Sequence, residues 1–250
     1  MTQGELCALR AEHLERALRG DQDAGAAAAE IAALMRRREA RYRTGEILDI
    51  YDDSLRPLGH KDRGLVHLDG DWHRSIQIWL VSPTRRTVLV QRRAASKRTF
   101  PLFLDTSVAG HYRQGEDVAE GCREAEEELG LRVDPGSLLP LGRVVQASRH
   151  GPLQDREVAD VFLARSDVDP ADLRPDPTEV EELVELPIAA GLRLFRGEVQ
   201  AVWAWAIRPG TPPWRVRVRA DEFTLHLDPY YVRIFWQARR VAMGRMPLPF

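Results

Sequence analysis

Apolar residues at the start of the chain recur at helical spacing. Leu6, Leu9, Leu14 and Leu18 form a loose stripe that ends at Gly20-Asp21. Steps of three and four put such positions on one helix face, so a helix is predicted over residues 3–19. A second is predicted over 24–40. It is an alanine run ending in Arg36, Arg37, Arg38 and Arg41, and cations suit a helix C-terminus. The period then changes. Ile47, Leu48, Ile50 and Tyr51 read as a strand closed by an Asp52-Asp53-Ser54 turn. Strands are predicted over 75–81 and 87–92, around Ser82-Pro83-Thr84, and again over 141–147, 158–164 and 179–186. Residues 165–177 read as an Asp/Pro-rich loop, and Ile188 to Phe195 as a short helix. Val199, Ala201, Trp203, Trp205 and Ile207 alternate, as do Trp214, Val216 and Val218. A hairpin with one aromatic face is predicted there, its tryptophans in a core or interface and Arg215, Arg217 and Arg219 opposite. Residues 229–243 read as a last helix, with Tyr230, Tyr231, Ile234, Phe235 and Val241 on its apolar side.

Mixed strands with helices between them point to an α/β sandwich, a mixed sheet flanked by helices. The breaks in pattern suggest three segments: a helical extension over 1–43, a central domain over 44–197, and a hairpin-and-helix extension over 198–250. Packing or dimer contact is the role expected of the first, and a homodimer stays open. At 250 residues a substantial core can be buried, and 44% hydrophobic with 30% charged content is ordinary for a globular protein. A net charge of −2 gives no reason to expect a nucleic-acid or membrane-surface partner. The two cysteines, Cys7 and Cys122, make neither a disulfide framework nor a zinc spacing, and Cys122 is expected to be a packed thiol. No apolar run is long enough to span a bilayer, and acids at Glu5, Glu12 and Glu15 fit neither a signal nor a transit peptide. The cytoplasm is the expected location.

Candidate chemistry concentrates in Arg123 to Leu131. Glu124, Glu127 and Glu128 stand at helical spacing and so share a face. Clustered carboxylates repel unless a cation joins them, and hard divalent ions bind through carboxylates and substrate phosphates. Arg123 lies one turn before Glu127 and can hold it. Gly130 suits a helix stop after Leu129. The plain alternative is a solvated acidic face.

The segment from Gly110 to Leu131 resembles the Nudix box, G-x5-E-x7-R-E-U-x-E-E-x-G-U with U apolar. Gly110, Glu116, Arg123, Glu124, Ala125, Glu127, Glu128, Gly130 and Leu131 take the named positions. One residue is missing between Glu116 and Arg123, so the helix is expected to start one residue later with its acidic face intact. The resemblance implies a Nudix-type α/β/α sandwich. It also implies hydrolysis of a diphosphate linkage in a small molecule, with Mg²⁺ or Mn²⁺ on Glu124, Glu127 and Glu128. Glu127 is the named base and Glu157 its alternative. Arg92 and Arg93 are candidate phosphate contacts, since guanidinium forks fit phosphate.

The flanks, Glu46 to Asp52, His67 to Arg74, Leu89 to Arg93 and Asp105 to His111, further resemble the branch that includes type 1 isopentenyl-diphosphate isomerases. That resemblance implies a metal group at His73, His111, Asp155 and Glu157, with His67 a looser match. Read as residues alone, His67 and His73 are loop histidines that cap or hydrogen-bond. The isomerases place a catalytic cysteine where this chain has Ala109, and a methyl group cannot transfer a proton. Hydrolysis is therefore expected over isomerisation or a non-catalytic binding role.

Overall fold

The helical hairpin is present, and caps set its ends. Helix α1 (Gln3–Leu18) starts at Thr2, whose hydroxyl accepts from Glu5 N while the Glu5 carboxylate accepts from Thr2 N. Helix α2 (Gln22–Tyr42) starts at Asp21, which accepts from Ala24 N. Ala24, Ala28 and Ala32 recur every fourth residue and are buried on one face of α2, and Leu6 is buried on α1. Small side chains in register let two helices approach closely. The computed structural model describes residues 1–226 and 229–250. These divide into two units, residues 1–73 with 147–157, and residues 74–146 with 158–250.

In the first unit, strand β1 (Ile47–Tyr51) pairs antiparallel with β2 (Pro57–Asp62). Asp52 Oδ1 closes the turn by accepting from Ser54 N and Arg56 N. Helix α3 (Arg63–Asp69) follows at once, capped by Asp62 and ended by left-handed Gly70. Neither β2 nor α3 was visible in the apolar pattern. Strand β2 has one large apolar side chain, Leu58, and that is exposed, so its ladder with β1 defines it. Helix α3 is under two turns long, and the Asp62 cap stands in for the missing period.

In the second unit, β3 (Trp72–Ser82, entering from the first unit's Trp72 and His73), β4 (Thr87–Arg93), β5 (Leu104–Asp105) and β6 (Val108–His111) precede two short helices, α4 (Val118–Gly121) and α5 (Arg123–Leu129). Then come β7 (Leu139–His150) and β8 (Leu153–Arg165), whose residues 147–157 belong to the first unit, and β9 (Val180–Pro187), α6 (Ile188–Phe195), β10 (Val202–Ile207), β11 (Trp214–Val218) and α7 (Tyr230–Ala242). The sheet runs β11-β10-β9-β4-β3, with β5 beside β4, β6 and β8 beside β3, and β7 beside β8. Strand β3 is buried on both faces. Ile76, Ile78 and Leu80 pack with Cys122, Ala125 and Leu129. Trp79 and Val81 pack with Leu192, Ile234 and Phe235 of α6 and α7. Helices thus cover the sheet from both sides, the sandwich expected from the sequence.

The β7–β8 pair is longer than its apolar signal, because Arg149, His150, Gln154, Asp155 and Arg156 carry no alternation yet lie in strand. A larger correction concerns the C-terminal hairpin. Trp203 and Trp205 are 52% and 47% exposed and do not pack in the core. Trp203 stands opposite Arg217 and Trp205 opposite Arg215, so these tryptophans and arginines share one face. The Arg215 guanidinium carbon lies 4.6 Å from the Trp203 ring centroid. Val202, Ala204 and Ala206 take the buried side instead.

Gly191 on α6 is required by contact. A Cβ there would stand 2.2 Å from a ring carbon of Phe235. Gly191→Ala is expected to cost about 1–3 kcal/mol by overpacking, read as a lower urea midpoint at unchanged slope. An unchanged midpoint would show that α6 and α7 do not meet this closely.

Candidate active site

Strand β6 pairs with β3, setting Ala109 opposite Gln77 and His111 opposite Ser75. The chain then turns into α4, which Asp117 caps by accepting from Ala119 N and Glu120 N. Cys122 separates α4 from α5; it is buried, and its thiol donates to Val118 O at 3.3 Å. Helix α5 starts at Arg123 and ends at Gly130, which is left-handed at φ 65°.

Arg123 is the centre of this segment. Its Nε donates to Glu116 Oε1 at 2.8 Å and its Nη2 to Glu116 Oε2 at 2.9 Å. The loop one residue short therefore still delivers Glu116 to a two-point contact. Arg123 Nη1 donates to Glu124 Oε1 and, at 3.0 Å, to Glu127 Oε2, while Nη2 also reaches His111 O at 3.0 Å. Burial works against ionising Glu116, but Arg123 and the Arg113 backbone outweigh it and hold its carboxyl below the usual value. Arg113, which no motif or spacing singles out, donates from Nη2 to both oxygens of Glu127.

The three helix carboxylates differ in setting. Glu127 is exposed. Glu124 is half-buried and lies flat against β6, so a Cβ on Gly110 would stand 2.0 Å from its carboxyl carbon. Glu128 is 6% exposed, and its Oε2 accepts from Ala109 N at 3.2 Å and Gln91 Nε2 at 3.3 Å. Burial, then the neighbouring Glu124 charge, pushes its carboxyl from 4.5 up to about 8. Gln91 was not foreseen; it sits in the apolar run of β4, where a polar residue has to find an internal partner.

The raised value fixes a sign. Without metal, the folded state favours the protonated acid, so Glu128's contribution to stability is complete below 4.5 and is lost as pH rises through about 8. In chelator, the thermal midpoint is expected to fall from about pH 5 to about pH 8, and Glu128→Gln to flatten that fall. A parallel fall in both proteins would mean that another group controls it.

Arg92 and Arg93 leave β4 already engaged. Arg92 Nε donates to Glu182 at 2.7 Å, and Arg93 Nη1 to Asp105 at 3.0 Å. In the first unit, His67 Nε2 and His73 Nε2 each lie 3.5 Å from Asp155 Oδ1, and His73 Nε2 lies 4.0 Å from Glu157 Oε1. Ligand atoms of these four residues all fall within 4.8 Å of one another. The loop reading of His67 and His73 misses this convergence, which the long β7–β8 strands create. His111 belongs to the other unit and is not counted in that group. Two imidazoles and two carboxylates are a donor set that suits a divalent transition ion.

A family model described as NUDIX domain matches residues 71–201. An uncharacterized Nudix hydrolase of Clostridium acetobutylicum is 31% identical over 194 residues, 74% of this chain and 93% of that one. The isopentenyl-diphosphate Delta-isomerase of Frankia alni is 38% identical over 136 residues, 53% of this chain and 68% of that one. A crystal structure from Deinococcus radiodurans aligns at TM-score 0.46 and 24% identity, over 61% of this chain and 90% of that one. The chain belongs to the Nudix family. No helix among the described residues is long and apolar enough to cross a membrane.

Proposed function

We propose that the chain hydrolyses a diphosphate linkage in a nucleoside- or prenyl-diphosphate-like small molecule, with Mg²⁺ or Mn²⁺ held by Glu124, Glu127 and Glu128. The observation that carries this reading is the crowding of three carboxylates on α5. Arg123 touches two of them, while the third is buried and pressed toward its neutral form. Arg123 is shared with Glu116 and Arg113 reaches only Glu127, so two guanidiniums serve four carboxylates, and a divalent cation would supply the missing positive charge. When bound, such an ion supplies charge neutralisation to the phosphates and lowers the pKa of a water.

The chain's own residues have separate tasks. Glu116 and Arg123 fix the rotamers of the helix acids. Ala109 N and Gln91 hold Glu128. Glu127, the most exposed of the three, is the base in this reading, and Glu157 is the alternative. Arg92 and Arg93 serve as phosphate contacts, each exchanging a carboxylate partner for phosphate oxygen. His67, His73, Asp155 and Glu157 form a second candidate group for a divalent ion.

Isomerisation of a prenyl diphosphate is the second reading, favoured by the Frankia alni relative. Ala109 stands against it, because its methyl group carries no proton. The test is a panel of nucleoside di- and triphosphates, dinucleotides and prenyl diphosphates, assayed with Mg²⁺ and again with chelator. Phosphate-containing product released only with the metal supports hydrolysis. Release from none of them would end the reading, and deuterium uptake into a prenyl diphosphate without release would select isomerisation.

A further inference from the structure

The helical hairpin lies before residue 71, where the family match begins, and nothing above gives it a task beyond packing. Its second helix is fastened to α3 at both ends. At the start of α3, Asp62 accepts from Thr44 N at 3.0 Å and Gly45 N at 2.8 Å as the chain leaves α2, and also from Gly64 N of α3 itself. Gly64 passes so near Tyr42 O that a Cβ there would lie 1.6 Å from it. At the far end, Arg38 of α2 pairs with Asp69, the last residue of α3. Both side chains are buried, at 9% and 2% exposure.

The pairing continues to the histidines. Lys61 Nζ reaches Asp69 at 3.0 Å and also pairs with Asp71. The Asp71 carbonyl lies 3.0 Å from His73 Nδ1; accepting a hydrogen bond from Nδ1–H fixes the tautomer and leaves Nε2 toward Asp155 and Glu157. His67 stands on α3 two residues before Asp69, its ring edge-on to His73 at 4.9 Å between centroids. A ligand's orientation depends on the groups that hold it, and their loss typically weakens metal affinity.

We propose that the N-terminal hairpin is a positioning element for the His67, His73, Asp155 and Glu157 group, acting through the Arg38–Asp69 pair to hold α3 and, through Lys61 and Asp71, the His73 ring. This rests on the reading that those four residues bind a divalent ion. Arg38 is a positioning residue and touches neither ion nor substrate.

The test uses the full chain, stripped of metal and kept in excess Mg²⁺, with Zn²⁺ titrated in and followed by calorimetry. The wild type is expected to bind Zn²⁺, and His73→Ala to weaken it by about a hundredfold. Arg38→Met is expected to weaken it by about tenfold, and Arg38→Lys, which returns a cation to Asp69, by no more than about threefold. Ala28→Gly loosens α2 at a buried position ten residues before Arg38, toward the hairpin turn; it is expected to lower the thermal midpoint yet leave Zn²⁺ affinity within about twofold. Wild-type affinity in a folded Arg38→Met protein would overturn the proposal, as would equal weakening by Ala28→Gly. Should Arg38→Met fail to fold, Asp69→Asn is read by the same criteria. A wild type with no Zn²⁺ site sensitive to His73→Ala refutes the metal reading itself, a different result from a site that binds but ignores Arg38.

Discussion

Glu128→Gln is expected to lower turnover of the diphosphate substrate by about a thousandfold or more while leaving the fold intact. The substitution keeps the side chain's shape, and an amide oxygen can still accept from Ala109 N. What it removes is the negative charge. That charge is costly to the metal-free protein, since burial and Glu124 push the carboxyl toward its neutral form. Glutamine imitates the neutral form. The variant should therefore melt no lower than wild type in chelator at about pH 7, and higher above it. Loss of turnover with retained or raised stability marks a residue kept for function at the expense of folding. A collapse of the thermal midpoint would instead mean that Glu128 is part of the scaffold.

Gly110→Ala is expected to reduce turnover by about a hundredfold through displacement of Glu124. The added methyl would sit 2.0 Å from the Glu124 carboxyl carbon and 2.4 Å from its Cγ and Oε2. These are side-chain atoms, and Gly110 is not among the glycines with positive φ, so the backbone tolerates alanine. The chain can relieve the clash by swinging Glu124 away from β6. Stability should thus change by no more than about 1 kcal/mol. The carboxylate would lose its place beside Arg123 and Glu128. Near-normal turnover with a folded variant would show that Glu124 need not lie against the strand.

What was legible in the sequence was whatever carried a period or a fixed spacing. The α5 acids followed from steps of three and four, and the strands from runs such as Val88, Leu89 and Val90. Gly110 and Glu116 were recognisable by their distance from the helix, but the contacts that require them are not local. The helical step put Arg123 at Glu127, but nothing in a string of residues says that Glu124 lies on Gly110 or that Arg123 also grips Glu116. The group at His67, His73, Asp155 and Glu157 brings together residues more than eighty positions apart. Only the family resemblance pointed to it, because the strand tips that carry Asp155 and Glu157 lack alternation. The tryptophan error has a simple origin. Trp203 and Trp205 share a parity, and so do Arg215 and Arg217, but strand pairing decides which parities share a face. The buried side went to small residues, Ala204 and Ala206, that a hydrophobicity pattern ranks below tryptophan.

The proposed reaction is water attack at a phosphorus of a diphosphate linkage, organised by the acids of α5. The direct measurement is mass analysis of products formed in heavy-oxygen water with Mg²⁺, on the substrate that the panel shows to be turned over fastest. One heavy oxygen in a single phosphate-containing product, abolished by chelator and by Glu128→Gln, is the expected result. Products without heavy oxygen, or the same incorporation by Glu128→Gln, would contradict it.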